Sequence, residues 1–196
     1  MISMVSAMKK KQSGIPENVQ SIFEGILQKH RDQQGCPNLT GYTSFKPEWD
    51  DDFCQAMNQH LTKEQRFRLY ETQGGCNGAG ADKQRKAFAI EYAHLALDER
   101  MALFAETFGR WKPVLNDDNT LTLTFKCTHG YYKRAIEGKY TAPPPNVEGY
   151  FERCAGGRLY ELQKALGIKL RIKSVDVSPL MDDVKNPVVF IFEIVA

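Results

Sequence analysis

The side chains most able to do chemistry sit in the second half of the chain: Cys127-Thr128-His129, then Cys154 with Arg158 four residues on. A thiol and an imidazole are the parts of a cysteine nucleophile with its base. Arg158 lies one helical turn after Cys154, and the predicted helix starts nearby. A cation and a helix N-terminus both favour the thiolate. Gly156 and Gly157 follow Cys154 directly. Each glycine costs a helix about 1 kcal/mol relative to alanine. The pair therefore predicts a close approach to the backbone, or a helix that becomes regular only after it. In a hydrolase reading Cys154 is the nucleophile, His129 the base and the helix start an oxyanion site. In a binding reading Cys127, Tyr131, Cys154, Gly156, Gly157 and Arg158 line a pocket, and Arg158 pairs with a ligand carboxylate. Ordinary packing of small residues accounts for the same positions as a third reading. Thiol reactivity separates them. With its thiolate favoured, Cys154 is expected to alkylate ahead of Cys127, on the buried face of a strand, and of Cys54, on a helix beside Phe53 and Met57.

Two further patterns invite chemistry and lose it on inspection. The run Gly74-Gly75-Cys76-Asn77-Gly78-Ala79-Gly80 precedes Lys83, Arg85 and Lys86, which suits an anion. It follows a predicted helix and not a strand, and Gly80 is followed by Ala81 and not Lys-Ser, so the nucleotide-loop motif fails. Cys127, His129 and Cys154 could start a zinc site, with Cys76 or His94 added from afar. No second closely spaced ligand pair exists. No metal and no cofactor are predicted. Tyr131, Tyr132, Tyr140, Tyr150 and Phe151 cluster around Pro143-Pro144-Pro145, as the wall of a partly apolar pocket would.

The elements that must position these residues follow from periodicity. Phe151, Ala155, Leu159, Leu162 and Leu166 share one helical face, and Gly167 is the stop. Ile168, Leu170 and Ile172 alternate with Lys169, Arg171 and Lys173, as in a strand with one buried face. The alternation changes phase at Ser174, which predicts a β-bulge. Val188, Phe190, Phe192 and Ile194 form another strand, and Leu121, Leu123, Phe125 and Cys127 another. Upstream the chain reads as helices: Pro16 to His30, Pro47 to about Gln59, and Lys63 to about Thr72 behind the capping box Thr62-x-x-Gln65. From Asp82 to Arg110 the stripe changes phase near Leu97, predicting a kink or two helices. The fold class is therefore α+β, with N-terminal helices packed on a small C-terminal antiparallel sheet of about three strands. Residues 1–14 read as a flexible arm, with Met8 as an alternative natural start, and 15–196 as a single domain.

Composition bounds the function. The chain has 196 residues, 42% hydrophobic and 11% aromatic, enough for a globular core. A net charge of +2 argues against a nucleic-acid partner. No apolar run is long enough for a membrane span. Five cysteines without Cys-x-x-Cys spacing, and no secretory signal, predict free thiols in a reducing cytoplasm.

The C-terminal unit carries a resemblance. Cys154-Ala155-Gly156-Gly157-Arg158-Leu159, Ala165-Leu166-Gly167, the basic-apolar strand and Val189-Phe190-Ile191-Phe192-Glu193-Ile194 resemble the end of four-vinyl-reductase-like small-molecule-binding domains. They resemble more closely a group of bacterial cytoplasmic proteins with that ending, to which Leu61–Gly80 is also similar. L-2-amino-thiazoline-4-carboxylate hydrolases are similar in style. The chain departs from these families at Val188 and Val189, where they carry a further cysteine. The resemblance implies a soluble domain that binds a small, partly apolar molecule between helices and sheet. The alternatives are a cysteine-dependent hydrolase of a small cyclic amide or thiazoline-like substrate, and an oligomerisation or interaction module, for instance a homodimer.

Overall fold

The computed structural model describes residues 2–9, 13–34, 47–72, 80–109, 112–127 and 134–195. His129, Tyr131, Cys36, Cys76 and the glycine run 74–79 lie outside them. The chain is α+β. Helices α1 (Ile2–Met8), α2 (Glu17–Gln34), α3 (Pro47–His60), α4 (Lys63–Thr72), α5 (Gly80–Glu91) and α6 (Leu97–Phe108) come first. Strands β1 (Val114–Leu115) and β2 (Thr120–Phe125), helix α7 (Val147–Leu166), strand β3 (Lys169–Asp176), the short α8 (Pro179–Asp182) and strand β4 (Val188–Val195) follow. The sheet is antiparallel in the order β1-β2-β4-β3.

One face of the sheet is buried: Leu121, Leu123 and Phe125 of β2, Val188, Phe190 and Phe192 of β4, and Leu170, Ile172 and Val175 of β3. Ile172 and Val175 are three residues apart, so a regular strand would point them to opposite faces. The predicted bulge resolves this. Ile172 pairs with Phe192 and Ser174 with Ile191, which leaves Lys173 as the extra residue and returns Val175 to the core opposite Phe190. β3 is an edge strand, and side chains close part of that edge. Gln163 Oε1 accepts from the Leu170 N–H at 2.8 Å, and Glu71 Oε1 from the Ile172 N–H at 2.7 Å. Burial pushes the Glu71 carboxyl up against that backbone bond.

The helices follow local signals closely. The Thr62–Gln65 box closes reciprocally: the Thr62 N–H donates to Gln65 Oε1 at 2.9 Å, and the Gln65 N–H to Thr62 Oγ1 at 3.2 Å. The phase jump at Leu97 is a break between α5 and α6. Across it Phe88 meets Phe104 and Phe108, with ring centroids 6.3 and 5.5 Å apart. Gly167 ends α7 in the left-handed conformation, φ 66°.

One element differs from expectation. Where the sequence suggests a flexible arm over 1–14, Ile2–Met8 is helical and packs on α2 and α4. Val5, Ala7 and Met8 are buried there, and Ser13 Oγ donates to the Met8 carbonyl at 2.6 Å. The stretch is too short to show a full apolar period, so its packing was not readable locally. The antiparallel sheet is as expected: the three strands read from the sequence are β2, β3 and β4, and a short β1 extends it. β1 has two residues, paired with Leu121 and Thr122 across the turn 116–119, and two residues carry no alternation.

Candidate functional site

Helix α7 is the hub. It packs against the sheet, α4 and α5, and its residues are buried nearly all round. Such a helix admits a charged side chain only where a partner waits for it. On the α4 side, Arg66 Nε and Nη2 donate to Glu152 Oε2 and Oε1 at 2.6 and 2.8 Å, and Arg66 Nη1 donates to the Leu61 carbonyl. Glu152 is 0% exposed. Burial pushes its carboxyl up more strongly than the guanidinium pulls it down. One turn further, Gly156 lies against α4. A Cβ there would stand 2.6 Å from the Tyr70 carbonyl oxygen. The close approach predicted for the glycine pair is therefore met at Gly156 by a neighbouring helix. Gly157 is buried as well.

The sheet-facing side carries the predicted thiols. Tyr150, Cys154 and Arg158 fall on successive turns of one stripe, which rises about 12 Å along the helix axis. Opposite stands the end of β2 at Phe125, with Cys127 two residues beyond it and outside the strand that the sequence suggests it continues. The two rows touch at both ends. Cys127 Sγ and Tyr150 Oη are 3.3 Å apart, within hydrogen-bond reach. The Arg158 guanidinium lies over the Phe125 ring, 5.6 Å from its centroid. Cys154 occupies the turn of α7 between those contacts. Phe125 also meets Phe151 edge-on at 6.5 Å and stacks on Phe190 at 5.1 Å, so an aromatic wall backs the polar heads.

Arg158 already holds a carboxylate. Its Nη1 is 3.0 Å from Glu161 Oε2, one turn on in the same helix. The other oxygen, Glu161 Oε1, accepts from Arg85 Nη2 of α5 at 2.6 Å. Arg85 Nη1 reaches Asp82 Oδ1 at 3.3 Å, and Tyr160 Oη donates to Asp82 Oδ2 at 2.5 Å. The Tyr160 hydroxyl, helped by Arg85, holds the Asp82 carboxyl below its ordinary range, while that carboxylate raises the tyrosine.

The structure thus brings Cys127, Cys154 and Arg158 into one region with Tyr150 of the expected aromatic cluster, and adds Phe125, Glu161 and Arg85, which sequence reasoning does not join to them. A signal existed for the last two. A helix with glycines at 149, 156 and 157 must be closely packed, so Glu152 and Glu161 on it needed cationic partners from elsewhere. One expectation is corrected. Cys154 does not sit at a helix start: α7 begins at Val147 and runs through both glycines. The thiol is 4% exposed, like Cys54 at 2% and Cys127 at 7%. Neither the helix terminus nor exposure activates it.

The chain matches no protein-family model, no curated protein and no solved structure. The resemblance of its C-terminal unit to ligand-binding domains therefore rests on the quoted residues alone.

Proposed function

We propose that the protein binds a small, partly apolar molecule between α7 and the sheet, against Phe125, Phe151 and Cys154, with Cys127, Tyr150 and Arg158 as polar contacts. One observation carries the reading. The Tyr150–Cys154–Arg158 stripe faces Phe125 and Cys127, so a thiol–phenol contact and a guanidinium are gathered on an aromatic wall. Small-molecule sites in general are mostly apolar, with a few placed polar groups. Cys54, Cys127 and Cys154 are in no disulfide, which supports a reducing, cytoplasmic setting. No helix among the described residues is long and apolar enough to cross a membrane.

The hydrolase alternative loses its physical support with the displaced helix start and the buried Cys154. No observation favours the oligomerisation alternative. Among the described residues the large apolar side chains most exposed, Ile90, Met181, Ile136 and Val114, belong to separate segments, and scattered exposure of this kind is ordinary.

Thermal unfolding against a broad panel of small molecules tests the binding reading. A ligand at a hundred times its Kd adds about 2.7 kcal/mol, which is roughly 5–10 °C for a chain of this size. The expected hits lose most of that shift in the Cys127→Ala/Tyr150→Phe double variant. A panel with no hits, or hits indifferent to the double variant, would overturn it.

A further inference from the structure

We propose that the outer edge of β3 is a strand-pairing site for a second copy of this chain, and that Glu71 and Gln163 hold it shut. Among the described residues β3 has β4 on one side and no strand on the other. An edge strand of eight residues is a template for another chain, because alternate residues turn their N–H and C=O groups outward. Leu170 and Ile172 are two such residues. Their N–H groups donate to side chains and not to β4: Leu170 to Gln163 Oε1 at 2.8 Å, and Ile172 to Glu71 Oε1 at 2.7 Å. The two guards come from different helices, Gln163 from α7 and Glu71 from the last turn of α4. Glu71 is poorly placed for its own helix, since a carboxylate there meets the negative end of the dipole. Burial works against its charge as well, while the Ile172 N–H, Arg171 and Arg68 favour it. What holds the carboxylate in position is the strand edge.

The charges along β3 select the occupant. Two copies of one strand pair about a two-fold axis, so each contact occurs twice. Lys169, Arg171 and Asp176 are exposed, while Leu170, Ile172 and Val175 are buried on the core face. A pairing register must keep those faces matched. The bulge between Ile172 and Ser174 changes the phase of the strand. The centred antiparallel register therefore sets Leu170 opposite Val175 of the second copy, Arg171 opposite Ser174 and Lys169 opposite Asp176. Opposite charges then face each other at both ends, which favours the pair. A register confined to the first half of the strand sets Lys169 against Arg171, and like charges directly opposite repel. The centred register needs the edge that the guards occupy. Gln163 and Glu71 hold its donors and stand where the second strand would lie.

The Glu71→Ala/Gln163→Ala double variant frees both donors and puts a good helix former at each position. Self-association of the full-length protein would be followed by sedimentation velocity from micromolar to millimolar concentration. The unmodified protein is expected to stay largely monomeric. The double variant is expected to dimerise at least about tenfold more tightly. Lys169→Glu in the double variant places two acids opposite each other at both ends, and is expected to return it towards monomer. Adding Asp176→Lys is expected to restore the dimer. Should the double variant fail to fold, each single variant frees one donor and is expected to shift the equilibrium the same way. A folded double variant, or a folded single variant in its place, that associates no better than the unmodified protein overturns the guard role. Association indifferent to Lys169→Glu overturns the pairing of β3 with itself. Neither result bears on the small-molecule site.

Discussion

Replacing Gly156 by alanine tests the packing on which the site depends. The new Cβ would lie 2.6 Å from the Tyr70 carbonyl oxygen, 2.8 Å from its Cβ and 2.9 Å from its carbonyl carbon. Two of those atoms are backbone, so no rotamer change relieves the contact and α4 must move away from α7. Overpacking of this kind costs about 1–3 kcal/mol. The same shift stretches the Arg66–Glu152 pair, which bridges the same helices one turn earlier at 2.6 and 2.8 Å. The gain in helix propensity, about 1 kcal/mol, offsets only part. We expect a net loss of about 2 kcal/mol, or roughly 4–8 °C in Tm for a chain of this length. Gly25→Ala supplies the opposite sign. It sits within α2 with no atom within 4 Å of the added Cβ, and should stabilise by about 0.5–1 kcal/mol. Urea unfolding followed by circular dichroism measures both, with an unchanged m-value required for the comparison. A Gly156→Ala protein as stable as the parent would refute the close α4–α7 contact.

Three other outcomes follow from the same geometry. Arg66→Met should destabilise by about 3–5 kcal/mol, because it strands a fully buried carboxylate. The Arg66→Met/Glu152→Leu double variant should recover much of that loss in a denaturant cycle. Native-state alkylation with iodoacetamide should leave Cys54, Cys127 and Cys154 slow alike, and rapid only after unfolding; fast Cys154 labelling in the native protein would revive a nucleophile. The hydrogen bond from Lys29, with help from His30, holds the Asp52 carboxyl low against the opposing effect of burial. Its contribution is present above the ordinary aspartate value, about 3.9, and lost as pH falls through the lower folded value. Asp52→Asn should therefore flatten the acid limb of the stability curve without altering its neutral-to-alkaline shape.

Much of the fold was legible because its signals are local. The Thr62–Gln65 box, the Gly167 stop, the break at Leu97 and the phase change at Ser174 each depend on residues within one or two turns. What stayed hidden is long-range or too short to be periodic. The two residues of β1 and the seven of α1 carry no pattern of their own. The pairings Arg66–Glu152 and Arg85–Glu161 span 86 and 76 residues, and charge patterning along the chain does not encode them. The candidate site shows the same division. Strand and helix phase put Cys127 and Cys154 on buried faces. The partner of Gly156, the extension of the helix back to Val147 and the capture of Arg158 by Glu161 depended on how α4 and α5 dock. Cys154 was expected near the helix start, and the helix begins at Val147, about two turns before it.

The proposed ligand site comprises Phe125, Cys127, Tyr150, Cys154 and Arg158. A crystal structure of the protein with the strongest hit from the small-molecule panel tests it most directly. Ligand density is expected between α7 and β2, in contact with the Cys127 thiol, the Tyr150 hydroxyl or the Arg158 guanidinium, with Glu161 still bound to Arg158 and Arg85. Density seated elsewhere, for instance in the groove of about 490 Å³ between α1 and α2 beside Val5, Lys9 and Leu27, with Cys154 and Arg158 enclosed by protein atoms alone, would contradict it.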